Sequence, residues 1–275
     1  MSAEHARIHP TAVVDPSAEL GHDVVIGPLA VVEAETRLGD GCILHAGAVV
    51  RRWTTLGNGN TVHSHAVLGG DPQDYGHDPK TRSFVQIGSG NVFREGATVN
   101  RGTGEDKVTV IGDNNYFMTC AHVGHNCRVG SRCIMTNGSA LGGYVELNDR
   151  AILSANVVIH QFCRVGAGVM SGGNSVCSMH LPPWCMLIGM NTVTGLNRVG
   201  LRRAGASSED RAHIEEAFRI FFRSSLPANQ ALIELRRRSD WGPWAGAFVD
   251  FIDQALHAEG SFNRGIMKMR PERFS

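Results

Sequence analysis

Two histidines three residues apart, His122 and His125, lie in the segment MTCAHVGHNC (118–127). A third, His160, precedes Gln161 in VIHQF (158–162). Neutral imidazole is the commonest side-chain base near pH 7. Counting along the chain links the two segments: Gly143 follows His125 by 18 residues, and Gln161 follows Gly143 by 18 more. If 18 residues make one coil of a solenoid, these three residues form one vertical column, with about 10 Å from first to third. A glycine above the histidine allows close approach to the backbone and leaves an N–H to donate. That is the arrangement of a general base beside an oxyanion site.

The coil length is written into the sequence as a repeat. Every sixth residue from Ile8 to Leu68 is aliphatic. The register returns at Ile87, Phe93 and Val99, and holds again from Ile111 through Phe117, Val123 and Met135 to Val165. Glycine often follows the aliphatic residue, as at Gly21, Gly39, Gly57, Gly88, Gly112 and Gly130, and the position two before it is usually small. Such hexads solve their packing as a parallel β-helix in which three short strands make a triangular coil. About 24 hexads give about eight coils, stacked at about 4.8 Å. Prisms of this kind resemble the left-handed β-helix family, and the handedness rests on that resemblance.

The frame explains other features. Cys42, Cys127, Cys133 and Cys163 occupy the small inward slot, so they read as reduced structural thiols. The repeat breaks at 70–86, a polar stretch with Pro72 and Pro79, and again at 101–110. Insertions in a solenoid become loops thrown out from a corner, often at a binding face. After Val176 the pattern ends, and 186–203 reads as an irregular coil. Three helices follow: one capped by Ser207 or Ser208, one opened by Pro227 and running to about Arg238, and one over 242–257. The expected domains are a β-helix over 1–200 and a helical domain over 201–275 that covers the open end of the stack.

Composition narrows the function. Twenty-six basic residues balance 26 acidic ones among 275, which argues against a general nucleic-acid binder. No apolar run reaches the ~18 residues of a membrane span, and MSAEHARIHP lacks a basic-then-apolar leader, so a cytoplasmic protein without stable membrane insertion is expected. Most of the 13 histidines, such as His5, His45 and His257, read as surface residues. A zinc site is the competing reading of the column, because three histidines between subunits bind zinc in gamma-class carbonic anhydrases. Here Gln161 stands where a third histidine would be, and the expectation is no metal and no cofactor.

At these residues the chain resembles a known family. AHVGHNC, GGYVEL, VVIHQF, LPPW and GLNRVGLRRAG, together with the helical tail, are similar to the acyl-carrier-protein–UDP-N-acetylglucosamine O-acyltransferases of lipid A biosynthesis. The resemblance spans nearly the whole chain. It implies a homotrimer with sites between subunits, acyl carrier protein and a nucleotide sugar as partners, and His125 as the base that activates the sugar 3-hydroxyl against a 3-hydroxyacyl thioester. It further implies the Gly143 N–H as oxyanion donor, with Gln73 and Asp74 holding the sugar. His122, His160 and Gln161 would line the sugar and acyl pockets, Asn197 and Arg203 would reach the nucleotide, and Gly173 would leave room for a long acyl chain. Arg198, Arg202, Arg203 and Arg236–Arg238 would meet the acidic carrier protein; a solvated helix face is the alternative reading of that cluster.

The chain departs from the family pattern at four places. Gly76 replaces a lysine two residues after Asp74, with His77, Lys80 and Arg82 nearby to take its place. Tyr144 replaces a histidine, Ala204 an arginine, and Val199 an acid near the uracil. These bear on acceptor choice more than on the catalytic column. A variant acceptor, such as an amino sugar acylated on nitrogen or another nucleotide sugar, or an acyl-CoA donor, stands as the alternative. A scaffold or metal-binding solenoid stands behind it.

Overall fold

The computed structural model describes residues 6–269. His5 and the end of the helical domain, residues 270–275, lie outside that range. Two-residue strands stack into three parallel sheets, here A, B and C, so that successive strands visit each face in turn and the chain forms a left-handed parallel β-helix. Beyond the first coil the second residue of the two-residue strands points inward and is buried: Ile26, Leu44, Val62, Phe93 and Phe117 on sheet A, Val32, Val50, Leu68, Val99 and Val123 on sheet B. Each such side chain contributes about 1.5–3 kcal/mol by leaving water. Phe93 and Phe117 stack with ring centroids 4.7 Å apart, filling two coils with one aromatic column.

Most neighbouring coils pair at an offset of 18, as in Val31↔Val49 and His122↔Ala140. Thr61 pairs with Val92, an offset of 31, so thirteen residues are thrown out there. Thr98 pairs with His122, an offset of 24, so six are thrown out. Both insertions are narrower than the sequence suggests. The strand resumes at Phe84–Ile87 and again at Val108–Ile111, because Val85 and Ile87 already face the core. The small inward slot holds Cys42, Cys127, Cys133 and Cys163 as expected, all buried. It also holds Asn60, Asn91 and Asn115, whose amides form a buried ladder: Asn91 Nδ2 donates to Asn60 Oδ1 at 3.0 Å, and Asn115 N donates to Asn91 Oδ1 at 2.9 Å.

The outward residues differ by face. Sheet A shows Val25, Ile43, Val92, Ile134, Ile152 and Met170, and sheet B shows Val13, Val31, Val49, Val67, Val158 and Val176. Sheet C shows Glu19, Arg37, Arg128, Glu146 and Arg164. Two faces of the prism are therefore apolar and one is charged.

Past the coils, 186–203 is not an irregular coil. Cys185–Leu187 pairs antiparallel with Thr192–Leu196, and α1 (Arg198–Arg203) follows. Ser207 caps α2 (Ser208–Phe222) in a capping box with Asp210. Pro227 is the N-cap of α3 (Ala228–Arg236), and α4 (Gly242–Leu256) packs against α2. The chain then returns to the prism. His180, wholly buried, accepts from Arg164 N at 3.0 Å through Nδ1 and donates through Nε2 to Phe262 O at 2.7 Å.

Candidate active site

Sheet B places His122, Ala140 and Val158 in one outward column, and the corner that follows places His125, Gly143 and Gln161 in another. The coil arithmetic thus holds in space: Tyr144 N donates to His125 O, and Phe162 N to Gly143 O, one coil at a time. A cleft of about 420 Å³ lies over these columns, lined by His122, His125, Gly143, His160 and Gln161, with Gln73 and Asn100 on its rim.

His125 is half-buried, and its ring lies across Gly143. A Cβ at position 143 would sit 2.6 Å from both Cε1 and Nε2, so only glycine leaves room for the imidazole in this pose. The Gly143 N–H donates to no protein atom among the described residues. The tautomer of His125 follows from Asn126. Asn126 Oδ1 accepts from Thr103 N at 2.9 Å while its Nδ2 faces Thr103 O at 3.3 Å, which fixes the amide's orientation. His125 Nδ1 lies 2.8 Å from that same Oδ1, so Nδ1 carries the proton and Nε2 keeps its lone pair. Asn126 reaches this position because its backbone is left-handed, at φ +59°.

The neighbouring groups are set just as firmly. His122 Nδ1 bonds Thr98 Oγ1 at 2.8 Å, and burial, aided by the nearby His125, lowers its pKa and keeps it neutral. His160 Nδ1 accepts from Arg264 Nη2 at 3.2 Å. Tyr144 meets the His125 ring edge-on at 5.3 Å, stacks on Phe162 at 4.9 Å, and Phe162 meets Phe262 at 5.5 Å. The C-terminal segment is therefore part of the wall beside the cleft.

The other candidates are not brought to the cleft. Asp74 lies exposed on the loop and accepts from Gly76 N at 2.9 Å, closing a turn. Gly173 is exposed, and a Cβ there would meet nothing nearer than Ala155 O at 3.5 Å. Asn197 is buried with both ends of its amide engaged: Oδ1 accepts from Gly200 N at the start of α1, and Nδ2 donates to Gly168 O. Arg203 is exposed in the last turn of α1, beside Ala204 at its C-cap. Of the basic cluster, Arg198 pairs with Glu215, Arg236 with Asp253, Arg237 with Glu234, and Arg238 with Glu216 and Asp240. Arg202 and Arg203 make no ion pair among the described residues.

The sequence reading missed Asn126, Thr98, Asn100 and Arg264. Asn126 carries one signal in the sequence: it begins the corner column that continues as Tyr144 and Phe162, all left-handed.

Comparison with known proteins gives the family. A model of the second domain of UDP-N-acetylglucosamine O-acyltransferases matches residues 181–267, and a bacterial transferase hexapeptide model matches residues 35–70. The chain is 48% identical over 266 residues to an acyl-[acyl-carrier-protein]–UDP-N-acetylglucosamine O-acyltransferase of Alkalilimnicola ehrlichii, covering 95% of this chain and 99% of the relative. It is 41% identical over 259 residues to the one of Stenotrophomonas maltophilia strain K279a, covering 93% and 98%. In structure it is similar to the UDP-N-acetylglucosamine O-acyltransferase of Moraxella catarrhalis, with a TM-score of 0.89 at 31% identity, covering 95% of this chain and 99% of that one. The Francisella novicida UDP-N-acetylglucosamine acyltransferase gives 0.88 at 33%, covering 96% and 95%.

Proposed function

This chain belongs to the acyl-[acyl-carrier-protein]–UDP-N-acetylglucosamine O-acyltransferase family, and from that premise we propose that it moves a 3-hydroxyacyl chain from acyl carrier protein to the 3-hydroxyl of UDP-N-acetylglucosamine, the opening acylation of lipid A biosynthesis. The observation that carries the mechanism is the His125 ring held across Gly143 with Nδ1 donating to Asn126. Nε2 takes the proton of the sugar hydroxyl as its oxygen attacks the thioester carbonyl. The Gly143 N–H meets the negative charge that develops on the carbonyl oxygen. Collapse of the tetrahedral intermediate forms the ester and expels the carrier-protein thiolate, which recovers the proton from the imidazolium. Asn126 stabilises that imidazolium and holds the ring plane without itself ionising.

The working unit is a homotrimer. Sheets A and B carry the outward aliphatic residues, with Val13 63%, Ile43 37%, Val158 45% and Met170 38% exposed in the single chain. Packing sheet B of one copy against sheet A of the next covers both stripes and roofs the cleft over Ala140 and Val158. On this reading Asp74, Gly173, Asn197 and Arg203 serve a cleft completed by a neighbour, with Asn197 acting through the α1 terminus it caps. The β-helix through residue 200 carries the chemistry, and the helical domain from 201 offers Arg202 and Arg203 to carrier protein. No helix among the described residues is long and apolar enough to cross a membrane, and cytoplasmic turnover fits the carrier-protein donor.

A panel assay tests the proposal: several nucleotide sugars, including an amino-sugar acceptor, offered with carrier-protein and CoA thioesters, the products read by mass spectrometry. O-acylated UDP-N-acetylglucosamine is expected from the carrier-protein thioester. His125→Ala should lower turnover by about 10²–10⁴ with the melting temperature kept. Unchanged turnover would overturn the base assignment.

A further inference from the structure

Among the described residues Arg101 is the largest side chain wholly withdrawn from solvent, 1% exposed, while the other described arginines lie at the surface or half-buried. A guanidinium is costly to bury unless its five N–H groups are satisfied. Here four hydrogen bonds and an ion pair meet it. Nε donates to Asp71 Oδ1 at 3.0 Å, Nη1 to Thr81 O at 2.6 Å and to Ser83 Oγ at 2.7 Å, and Nη2 to Pro79 O at 3.0 Å, while Nη2 also lies 3.0 Å from the same Asp71 oxygen as an ion pair. One face of the group lies over Trp53, 5.0 Å from the ring centroid.

Every one of these oxygens belongs to the thirteen-residue insertion or the residue that ends it. Asp71 stands on the outgoing limb; Pro79, Thr81 and Ser83 stand on the returning limb. Between them lie Gln73, on the cleft rim, and Asp74. Among the described residues, every hydrogen bond joining residues 71–81 to the rest of the chain runs to Arg101 or to its neighbour Asn100, whose Nδ2 donates to Asp71 O at 2.7 Å. Two residues beyond Arg101, Thr103 bonds Asn126, the partner of His125. Residues 100–103 thus touch both the inserted loop and the group that orients the general base.

We propose that Arg101 is a positioning residue for acceptor binding: its buried fork clasps the two limbs of the inserted loop and so presents Gln73 and Asp74 to the nucleotide sugar. The proposal deepens the reading given above and rests on it, since it takes the loop to be the acceptor's. Arg101 touches no substrate. Its effect is the cost of ordering a loop at each binding event, which falls on acceptor affinity and not on the chemical step.

The test is a pair of variants, Arg101→Lys and Asp71→Asn, with kinetics and limited trypsinolysis. Lysine has three donors for four acceptor oxygens. Arg101→Lys is expected to raise KM for UDP-N-acetylglucosamine about tenfold or more, with kcat at saturation within about threefold and KM for the acyl donor unchanged. Trypsin should cut faster after Lys80 or Arg82, while cleavage elsewhere stays slow. Asp71→Asn, which removes the charge from an exposed partner, should shift both readouts the same way by less. Acceptor KM unchanged while the loop is cut rapidly would overturn the proposal, and so would cleavage at the wild-type rate. A lowered melting temperature with both KM values unaltered and kcat reduced would show a general structural role and also overturn it. If Arg101→Lys does not fold, the same outcomes on Asp71→Asn decide. Should the wild type fail to acylate this acceptor, the proposed function falls, while trypsinolysis still reads the clasp.

Discussion

Gly143→Ala isolates the geometry on which the mechanism depends. The residue does not lie in the left-handed region, so alanine fits the backbone. Its methyl does not fit the site, because Cβ would stand 2.6 Å from Cε1 and Nε2 of His125, and ordinary contact begins at 3.4 Å. The ring must retreat by about 0.8 Å, the difference between these distances. Misplacing a catalytic group by about 1 Å costs about 10²-fold, or about 2.7 kcal/mol in the barrier. The expected result is a kcat/KM about a hundredfold below wild type, with the melting temperature within a degree or two, since no core contact is lost. The assay is steady-state transfer to UDP-N-acetylglucosamine beside thermal unfolding. A double mutant sharpens it: in a His125→Ala background there is no ring to displace, so Gly143→Ala should cost almost nothing further. A Gly143→Ala enzyme within threefold of wild type would refute the reasoning. A full hundredfold loss in the His125→Ala background would show that the methyl acts by filling the cleft.

Three further outcomes follow from particular contacts. Asn126→Gly keeps the left-handed backbone and removes the acceptor at His125 Nδ1; losing that bond should lower kcat/KM about tenfold, about 1.4 kcal/mol, checked by kinetics with unfolding as control. Burial, with Arg164 and Arg264 nearby, lowers the pKa of His180 against the opposing bond to Phe262 O. Above about pH 6.5 the ring is neutral in both states and its bonds are intact. As pH falls below that value the unfolded chain binds the proton first, so stability should drop until the folded pKa is passed. Denaturant unfolding from pH 8 to pH 5 should show this slope, and His180→Gln should flatten it. Ile43→Glu places a charge in the outward stripe of sheet A, far along the chain from His125; light scattering should show loss of the trimer, and activity should fall with it because the cleft loses its roof.

The prism was legible because each hexad states its own inward residue, and the column of His125, Gly143 and Gln161 followed from coil length alone. The same arithmetic is silent where the chain leaves the coil. The limits of the insertions depended on Val85 and Ile87, whose alternation is too short to stand out beside polar neighbours. The hairpin of 185–196 was hidden because its second strand runs against the coil strands. Arg101 sits in RGTGEDK, a stretch whose composition reads as exposed loop. Its burial comes from four oxygens gathered by an insertion that closes on itself, and no periodicity records such closure.

Asn126 marks the same boundary within the site. Its column was countable, but its function depends on Thr103, brought alongside by the six-residue insertion, and on a left-handed backbone that turns the amide towards the ring. The two insertions therefore divide the work that the repeat cannot do. On the proposed mechanism the shorter one fixes the His125 ring through Asn126, and the longer one, clasped by Arg101, carries Gln73 to the lining of the same cleft. A hexapeptide prism without them would keep the histidine and the glycine in register yet lack a tautomer lock and an acceptor loop. On that argument, excising the thirteen-residue insertion should abolish acceptor binding while leaving a folded trimer, because its hydrogen bonds reach only Asn100, Arg101 and Asp106 among the described residues and no inward aliphatic residue is removed.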